Sequence, residues 1–355
     1  MFITLLPTQV LGVFLHAVGG FAAGSFYTPF RKVTRWAWES YWLVMGVAAW
    51  LIMPWVIAGL TAPNLLTILH RAPWSSMIWA YIFGALWGVG GLTFGLTMRY
   101  LGMSLGMAVA LGFCATFGTL VPPIYEGNFL GLFSTLSGRV LLLGIVVCLT
   151  GIGVCGYAGI RKERELTDEQ KKSAIKEFSL VKGLVVAVFS GVMSACMNFG
   201  VEAGREIANV AAAPDMNTPD VFKNNPTFIL IMAGGFTTNF IWCLILNIRN
   251  RSGADYITGT PGLLAINYLF SMLAGAIWFM QFFFFGMGKT KMGKYDFSSW
   301  TIHMAFIIVF SSLWGLYFHE WRGVRRQTKL AVWTGIAVLI LSTVVIGVGN
   351  YLAKK

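Results

Sequence analysis

Four side chains that can gain or lose a proton lie within, or at the ends of, long uncharged stretches of the sequence. They are His16, Glu202, Asp296 and His303. Ionisable groups at membrane depth cost free energy and usually mark a functional site, so these four are the candidate proton carriers. Asp296, Trp300 and His303 are spaced i, i+4 and i+7 and would share one face of a single helix. Asp is also a favoured helix N-cap, and a capping role for Asp296 stays equally open.

Two of the other candidates have structural alternatives. His303 could form a hydrogen-bonded packing pair with Trp300 on the same helix. Glu202 lies three residues before Arg205 at the end of an uncharged run, and turning toward the interface to pair with Arg205 is its favoured role.

His16 has a different setting. On a helix it shares one face with Gly20, Ala23 and Tyr27. The residues nearest to it on this face are too small to fill space by themselves. We therefore expect His16 to border a cavity.

Uncharged polar groups and aromatic rings also occur together. Trp278 and Gln281 are spaced i, i+3 within a 33-residue uncharged run, and Trp87 lies in a glycine-rich run. An aromatic ring can pack against the apolar face of a sugar ring, while amide and imidazole groups bind its hydroxyls. A mostly apolar pocket with a few polar groups is the usual form of a small-molecule site. The pattern predicts a neutral polyol ligand.

The elements that must position these residues are long apolar segments. Ten runs without Asp, Glu, Lys or Arg are long enough to span a bilayer, for which about twenty helical residues are needed. They are 10–30, 40–60, 72–98, 100–125, 140–160, 183–201, 224–248, 256–288, 297–318 and 330–353. Charged residues make up only 11% of the 355 residues, which excludes a soluble globular protein, where about 25% is typical. The sequence predicts an all-α integral membrane protein with ten transmembrane helices.

The most polar stretch divides the ten predicted helices into two sets of five. Residues 161–182 form a cytoplasmic linker between a first half, 1–160, and a second half, 183–355, and the spacing at Thr167–Gln170 predicts a short helix in it. Because each half has an odd number of spans, the halves must cross the membrane in opposite orientations. This is the arrangement of inverted-repeat transporters.

Basic loop residues set the expected orientation. With loops assigned alternately to the two sides, seventeen of the 26 Lys and Arg residues fall on one side and nine on the other. The richer side is expected in the cytoplasm, which places both termini outside. The net charge of +12 is thus assigned to membrane loops, and we expect no nucleic-acid partner.

The sequence carries no pattern typical of an enzyme, a metal site or a cofactor site. The five cysteines lie in apolar runs without metal-ligand spacing. Gly151–Gly156 matches G-x-G-x-x-G, but it lies in an apolar span without the strand and acidic residue of a dinucleotide site. His319 and Glu320 lack the second histidine of a zinc protease motif. We expect no catalytic residues, no metal and no cofactor.

Five stretches of the chain, in order, resemble a known family. They are Phe26–Val33 with Trp36–Glu39, Phe83–Gly88, Gly95–Gly106, Trp278–Phe284 and Tyr295–Met304. These segments resemble the L-rhamnose/proton symporter family of the drug/metabolite transporter superfamily, and Leu96–Met103 is the most specific block. The resemblance implies ten spans in two inverted five-helix halves. It also implies import of L-rhamnose with a proton across a bacterial inner membrane, with L-lyxose or mannose as alternative sugars.

The resemblance extends to most of the candidate residues. It covers His16, Trp87, Arg99, Trp278, Gln281, Tyr295, Asp296, Trp300 and His303, but not Glu202. The expected substrate-binding residues are His16, Trp87, Trp278, Gln281, Trp300 and His303. Asp296 is the expected proton carrier, with His303, His16 and Glu202 as the other candidates.

Two other functions are weighed against symport. A drug or amino-acid exporter has the same architecture, but export of cations needs an anionic residue at membrane depth, and the ten runs contain none. A membrane enzyme or receptor would need a catalytic constellation or a soluble effector domain, and neither is found in the sequence.

Overall fold

The computed structural model describes residues 8–101, 103–165, 180–319 and 321–353, and within them the chain is helical without strands. The long helices are α1 (Thr8–Ser25), α2 (Trp38–Thr61), α3 (Trp74–Leu101), α4 (Met103–Tyr125), α5 (Leu136–Glu165), α6 (Leu180–Ala203), α7 (Asn225–Asn250), α8 (Pro261–Lys289), α9 (Ser299–Tyr317) and α10 (Arg326–Leu352). In this part of the chain, nine helical segments are long and apolar enough to cross a membrane, and α4 adds a shorter apolar segment, Val109–Tyr125. The prediction of an all-α, ten-helix, multi-pass membrane protein is confirmed.

The polar stretch between the fifth and sixth helices is only partly described. Helix α5 continues to Glu165, so residues 161–165 of the predicted linker are helical. The predicted short helix at Thr167–Gln170 lies outside the described residues. The division into halves 1–160 and 183–355, and their inverted relation, stays a prediction.

By packing, the chain divides into two compact units. The first unit contains Met1–Phe21, Gly90–Asn198 and Met287–Lys355, and the second contains Ala22–Val89 and Phe199–Gly286. Each unit therefore combines segments from the early and the late part of the sequence.

In the first unit, helices α5 and α10 pack closely because glycines lie at their contact. A Cβ atom on Gly144 would lie 2.5 Å from the side chain of Ile346, and one on Gly151 would lie 2.9 Å from that of Leu339. Small residues allow this approach where lipid provides no hydrophobic drive for helices to associate. Gly151 begins the G-x-G-x-x-G pattern, so this part of the pattern serves helix packing.

In the second unit, helices α3 and α7 approach in the same way. A Cβ atom on Gly84 would lie 2.1 Å from the carbonyl oxygen of Ile231, and one on Gly234 would lie 2.1 Å from that of Tyr81. Each glycine thus faces the backbone of the other helix. Any larger residue at either position would force the helices apart.

A buried polar network fixes the start of α2 within the second unit. Glu39 is 4% exposed and accepts hydrogen bonds from Ser252 Oγ at 2.6 Å and Asn250 Nδ2 at 2.9 Å. Asp255 Oδ2 accepts one from the backbone N–H of Ala37 at 2.7 Å. These contacts satisfy both carboxylates, so we assign them a structural role.

Candidate functional site

Two histidines meet in the interior of the first unit. The rings of His16 on α1 and His303 on α9 have centroids 6.2 Å apart in an edge-on arrangement. Both side chains are completely buried. The imidazole of His16 packs against Gly288 near the end of α8, where a Cβ atom would lie 2.8 Å from its Cε1 and Nε2 atoms. A glycine is therefore required at position 288 for His16 to occupy this position.

The helix face that carries His16 is closely packed at two points in the first unit. A Cβ atom on Gly20 would lie 2.4 Å from Cβ of Phe306, so α9 fills the space beside Gly20. The end of α8 packs against one side of His16 through Gly288. The expected cavity does not extend beside Gly20, because Phe306 packs there, and a cavity at His16 itself stays a prediction.

Trp300 lies next to His303 on α9 and is 2% exposed. Its indole packs over Gly118 of α4, where a Cβ atom would lie 2.4 Å from Cδ1 and Nε1. The indole Nε1–H donates a hydrogen bond to the carbonyl oxygen of Cys114 at 3.1 Å. The ring centroids of Trp300 and His303 are 6.2 Å apart. The predicted hydrogen bond between them is wrong, because the indole N–H donates to the carbonyl oxygen of Cys114 instead.

Pro122 explains a second contact at Gly118. Pro122 has no N–H group, so the carbonyl of Gly118, four residues earlier, has no helical donor. Asn198 on α6 supplies one, because its Nδ2 donates to this carbonyl at 2.8 Å. Asn198 is 1% exposed, and its Oδ1 has no hydrogen-bond partner among the described residues. Leaving a buried acceptor unsatisfied costs about 1–3 kcal/mol.

Asp296 does not lie on α9. Residues Gly293–Ser298 form a 3-10 segment in which Tyr295 leaves helical geometry, with φ −108° and ψ 42°, and Gly293 has φ +75°. The α-helix begins only at Ser299, and the non-helical residue Tyr295 precedes Asp296, so the helix face shared by Asp296, Trp300 and His303 stays a prediction. The capping prediction is wrong, because Ser298 and not Asp296 occupies the N-cap position of α9.

Asp296 instead forms an ion pair with Lys289 in the last turn of α8, with Nζ 2.8 Å from Oδ2. The Lys289 side chain is 7% exposed and that of Asp296 is 32% exposed. The pattern of uncharged runs predicts a loop position for Lys289, and this is wrong because α8 extends to include it. Lys289 directly follows Gly288, so the ion pair adjoins the site where His16 packs.

Two further residues covered by the resemblance have different outcomes. The hydroxyl of Tyr295 lies 3.2 Å from Ser137 Oγ and 3.3 Å from Thr135 Oγ1, which anchors the turn before α9 to the start of α5. The side chain of Arg99 lies outside the described part of the chain.

Glu202 forms an ion pair with Arg205 in the second unit. The side chain of Glu202 is 14% exposed and that of Arg205 is 48% exposed. The predicted pairing of Glu202 with Arg205 is therefore present in the structure. A coupling role for Glu202 stays a prediction.

Trp87 and Trp278 come together in the second unit, as part of an aromatic cluster. Their rings stack with centroids 5.5 Å apart and an interplanar angle of 25°. Trp50 packs edge-on against Trp278 at 5.5 Å. Trp50 lies in a π-helical stretch of α2, Val47–Ile52, a local widening that often occurs at functional sites. No feature of the sequence distinguishes Trp50 from the other tryptophans.

Gln281 is buried on α8 one turn after Trp278. Its Nε2 donates to the carbonyl oxygen of Trp278 at 2.9 Å. One of the two amide N–H groups is therefore used within its own helix.

Comparison with known proteins covers almost the whole chain. The family model described as the L-rhamnose-proton symport protein matches residues 6–352. The L-rhamnose-proton symporter of Yersinia pestis (strain Pestoides F) is 37% identical over 344 residues, which are 96% of this chain and 98% of that protein. The L-rhamnose-proton symporter of Escherichia coli O1:K1 / APEC is 37% identical over 343 residues, 96% of this chain and 97% of that protein. The family consists of transporters and not of enzymes, and this chain belongs to the L-rhamnose-proton symport protein family.

Proposed function

We propose that this protein imports L-rhamnose together with a proton across a bacterial inner membrane by alternating access. The family assignment over residues 6–352 supports the substrate and the coupling ion. Within the structure, one observation carries the proposal: the buried pair His16 and His303 adjoins the ion pair of Lys289 and Asp296. Groups suited to a sugar and a group suited to a proton thus lie together in the first unit.

The buried cluster of the first unit has the chemistry that a deoxy sugar needs. The imidazoles of His16 and His303 can each donate and accept hydrogen bonds to hydroxyl groups. The indole of Trp300 offers an apolar face to the sugar ring. Because the three side chains are packed and buried, the sugar would enter in a state in which this cluster opens. A substrate role for Trp87, Trp278 and Gln281 stays a prediction.

Asp296 is the proposed proton carrier. Its carboxylate is about one-third exposed, so water can deliver a proton, while its partner Lys289 is buried. Protonation would remove the negative charge that balances a buried ammonium group, and breaking a buried ion pair is strongly unfavourable. The protonated state therefore favours a rearrangement. One charge moved through ~100 mV is worth about 2.3 kcal/mol, or about fifty-fold accumulation of the sugar.

Transport by purified protein in liposomes tests the proposal. An inward acid gradient should drive labelled L-rhamnose to a higher concentration inside, and a protonophore should collapse this accumulation while exchange of labelled for unlabelled sugar continues. L-lyxose and mannose serve as competitors that define the specificity. Absence of both accumulation and exchange would reject L-rhamnose as the substrate. Entry that ignores the gradient would reject the coupling.

We also propose that both termini lie in the periplasm. When Lys289, which lies in α8, is left out of the count, seventeen Lys and Arg residues of the loops fall on one side and eight on the other. A cysteine introduced at Lys355 should react with a membrane-impermeant maleimide in intact spheroplasts, and one introduced at Arg322 should react only after lysis. The opposite pattern would reverse the orientation. No observation in the structure favours export over import.

A further inference from the structure

We infer that Asn198 binds the transported sugar, with its Oδ1 accepting a hydrogen bond from one sugar hydroxyl. The inference rests on the proposed function and adds a residue to the proposed site. Asn198 lies on α6 in the first unit and is almost completely buried.

The orientation of the Asn198 amide is fixed by its partner. The carbonyl oxygen of Gly118 can only accept a hydrogen bond, so the atom 2.8 Å from it must be the donor Nδ2. Oδ1 is therefore the other end of the amide. It has no hydrogen-bond partner among the described residues.

The fold explains why a donor is needed at Nδ2 of Asn198, but no contact among the described residues explains the acceptor Oδ1. Pro122 leaves the Gly118 carbonyl without a helical donor, and the Nδ2 group of Asn198 replaces it. A structural role requires nothing more than this donor. Buried side-chain acceptors are usually satisfied, so an unsatisfied one is a candidate contact for a ligand.

The surroundings of Asn198 are those of the proposed sugar site. The indole of Trp300 packs directly over Gly118, the residue whose carbonyl Asn198 binds. The ring of Trp300 in turn lies 6.2 Å from that of His303. Sugar hydroxyls are donors, so a polyol entering this cluster brings the group that Oδ1 needs.

A thermodynamic cycle between the side chain and the ligand tests the contact. Binding of L-rhamnose and of its 1-, 2-, 3- and 4-deoxy analogues is measured for the wild type and for Asn198→Leu. In the wild type, one deoxy analogue should bind about tenfold to a hundredfold more weakly than L-rhamnose. In Asn198→Leu, L-rhamnose binding should fall by a similar factor, and that analogue should bind as well as L-rhamnose does.

Two further variants separate binding from folding. Asn198→Ser keeps a hydroxyl near the Gly118 carbonyl but withdraws the acceptor, so it should lose the same hydroxyl dependence even if Asn198→Leu folds poorly. Asn267→Leu is the matched control, because both ends of that buried amide are satisfied by the backbone of Thr34. It should lower the unfolding temperature and leave the dependence on each hydroxyl unchanged.

Two results would have different meanings. If Asn198→Leu or Asn198→Ser weakens binding of L-rhamnose and all four analogues by the same factor, Asn198 only holds α4 and the inference is overturned. If the wild type binds no L-rhamnose at all, the proposed function fails instead.

Discussion

Neutralising Asp296 should destabilise the protein more than neutralising Lys289, although both changes break the same ion pair. In Asp296→Asn, the buried ammonium of Lys289, 7% exposed, loses the carboxylate that balances it. Breaking a buried pair in this way costs about 3–5 kcal/mol. In Lys289→Met, the carboxylate that remains is 32% exposed and water can solvate it, so the cost should be nearer the ~1 kcal/mol of a screened pair.

The double variant Lys289→Met with Asp296→Asn should recover most of the loss. It leaves no charge at the site, and replacing both partners of a buried pair by neutral groups is often close to neutral in free energy. The free energies of the two single variants should therefore fail to add, by about 4–6 kcal/mol. Chemical unfolding of the four proteins in one detergent measures this coupling. Additive effects, or a larger loss in Lys289→Met than in Asp296→Asn, would refute the reasoning from burial.

The same proteins separate a structural pair from a coupling pair. If Asp296 carries the proton, the double variant should fold and exchange L-rhamnose but not accumulate it against a gradient. Glu202→Gln breaks an ion pair with the half-exposed Arg205, and it should still accumulate the sugar if Asp296, and not Glu202, is the carrier. Accumulation by the double variant would instead assign the proton to one of the histidines or to Glu202.

Three smaller changes test other parts of the first unit. Gly288→Ala places a methyl group 2.8 Å from the imidazole that packs there, and Gly118→Ala places one 2.4 Å from the indole; each should cost about 1–3 kcal/mol of stability and weaken L-rhamnose binding. Gly59→Ala, whose methyl group would meet no neighbouring helix within 4 Å, should lower neither the stability nor the binding. Hydrogen bonds from Thr328 and from the backbone N–H at the start of α10 lower the pKa of Glu165 below its usual 4.5. Its contribution to stability is therefore full above pH 4.5 and lost as the pH falls further, and Glu165→Gln should flatten this acid side of an unfolding profile.

The ten helices could be predicted because the physical constraint on them is strong. A formal charge inside the bilayer is expensive, so its absence over about twenty residues marks a span without any knowledge of packing. The same rule fails at the ends of spans. Lys289 ends a 33-residue uncharged run, and hydropathy does not reveal that its side chain is buried by a partner on the next segment.

Helix periodicity is less informative at Asp296 for a related reason. Spacing of i, i+4 and i+7 brings residues to one face of a regular α-helix, and Asp296 lies in the 3-10 segment that precedes α9. Trp300 and His303 do lie on one helix, so that part of the pattern was informative. The contact between His303 and His16 depends on how α1 and α9 pack. The sequence alone does not predict this packing.

The role of Asn198 was half visible in the sequence. Pro122 four residues after Gly118 shows that one helical carbonyl lacks its donor. Any of several polar residues could have supplied the donor, and only the packing of α6 against α4 identifies Asn198. The sequence therefore shows which carbonyl lacks a helical donor, and only the fold shows which residue donates to it.

The candidate proton site and the candidate sugar site share one turn of α8. Lys289 holds Asp296, while Gly288, the residue before it, receives the ring of His16, and His16 contacts His303. A change at the ion pair that moves this turn must move the surface against which His16 packs, because Gly288 leaves no gap to absorb it. Coupling through such a contact needs no long pathway. Gly288→Ala should then alter the dependence of transport on the proton gradient as well as the affinity for sugar. Gly118→Ala should alter the affinity for sugar but not the dependence on the gradient.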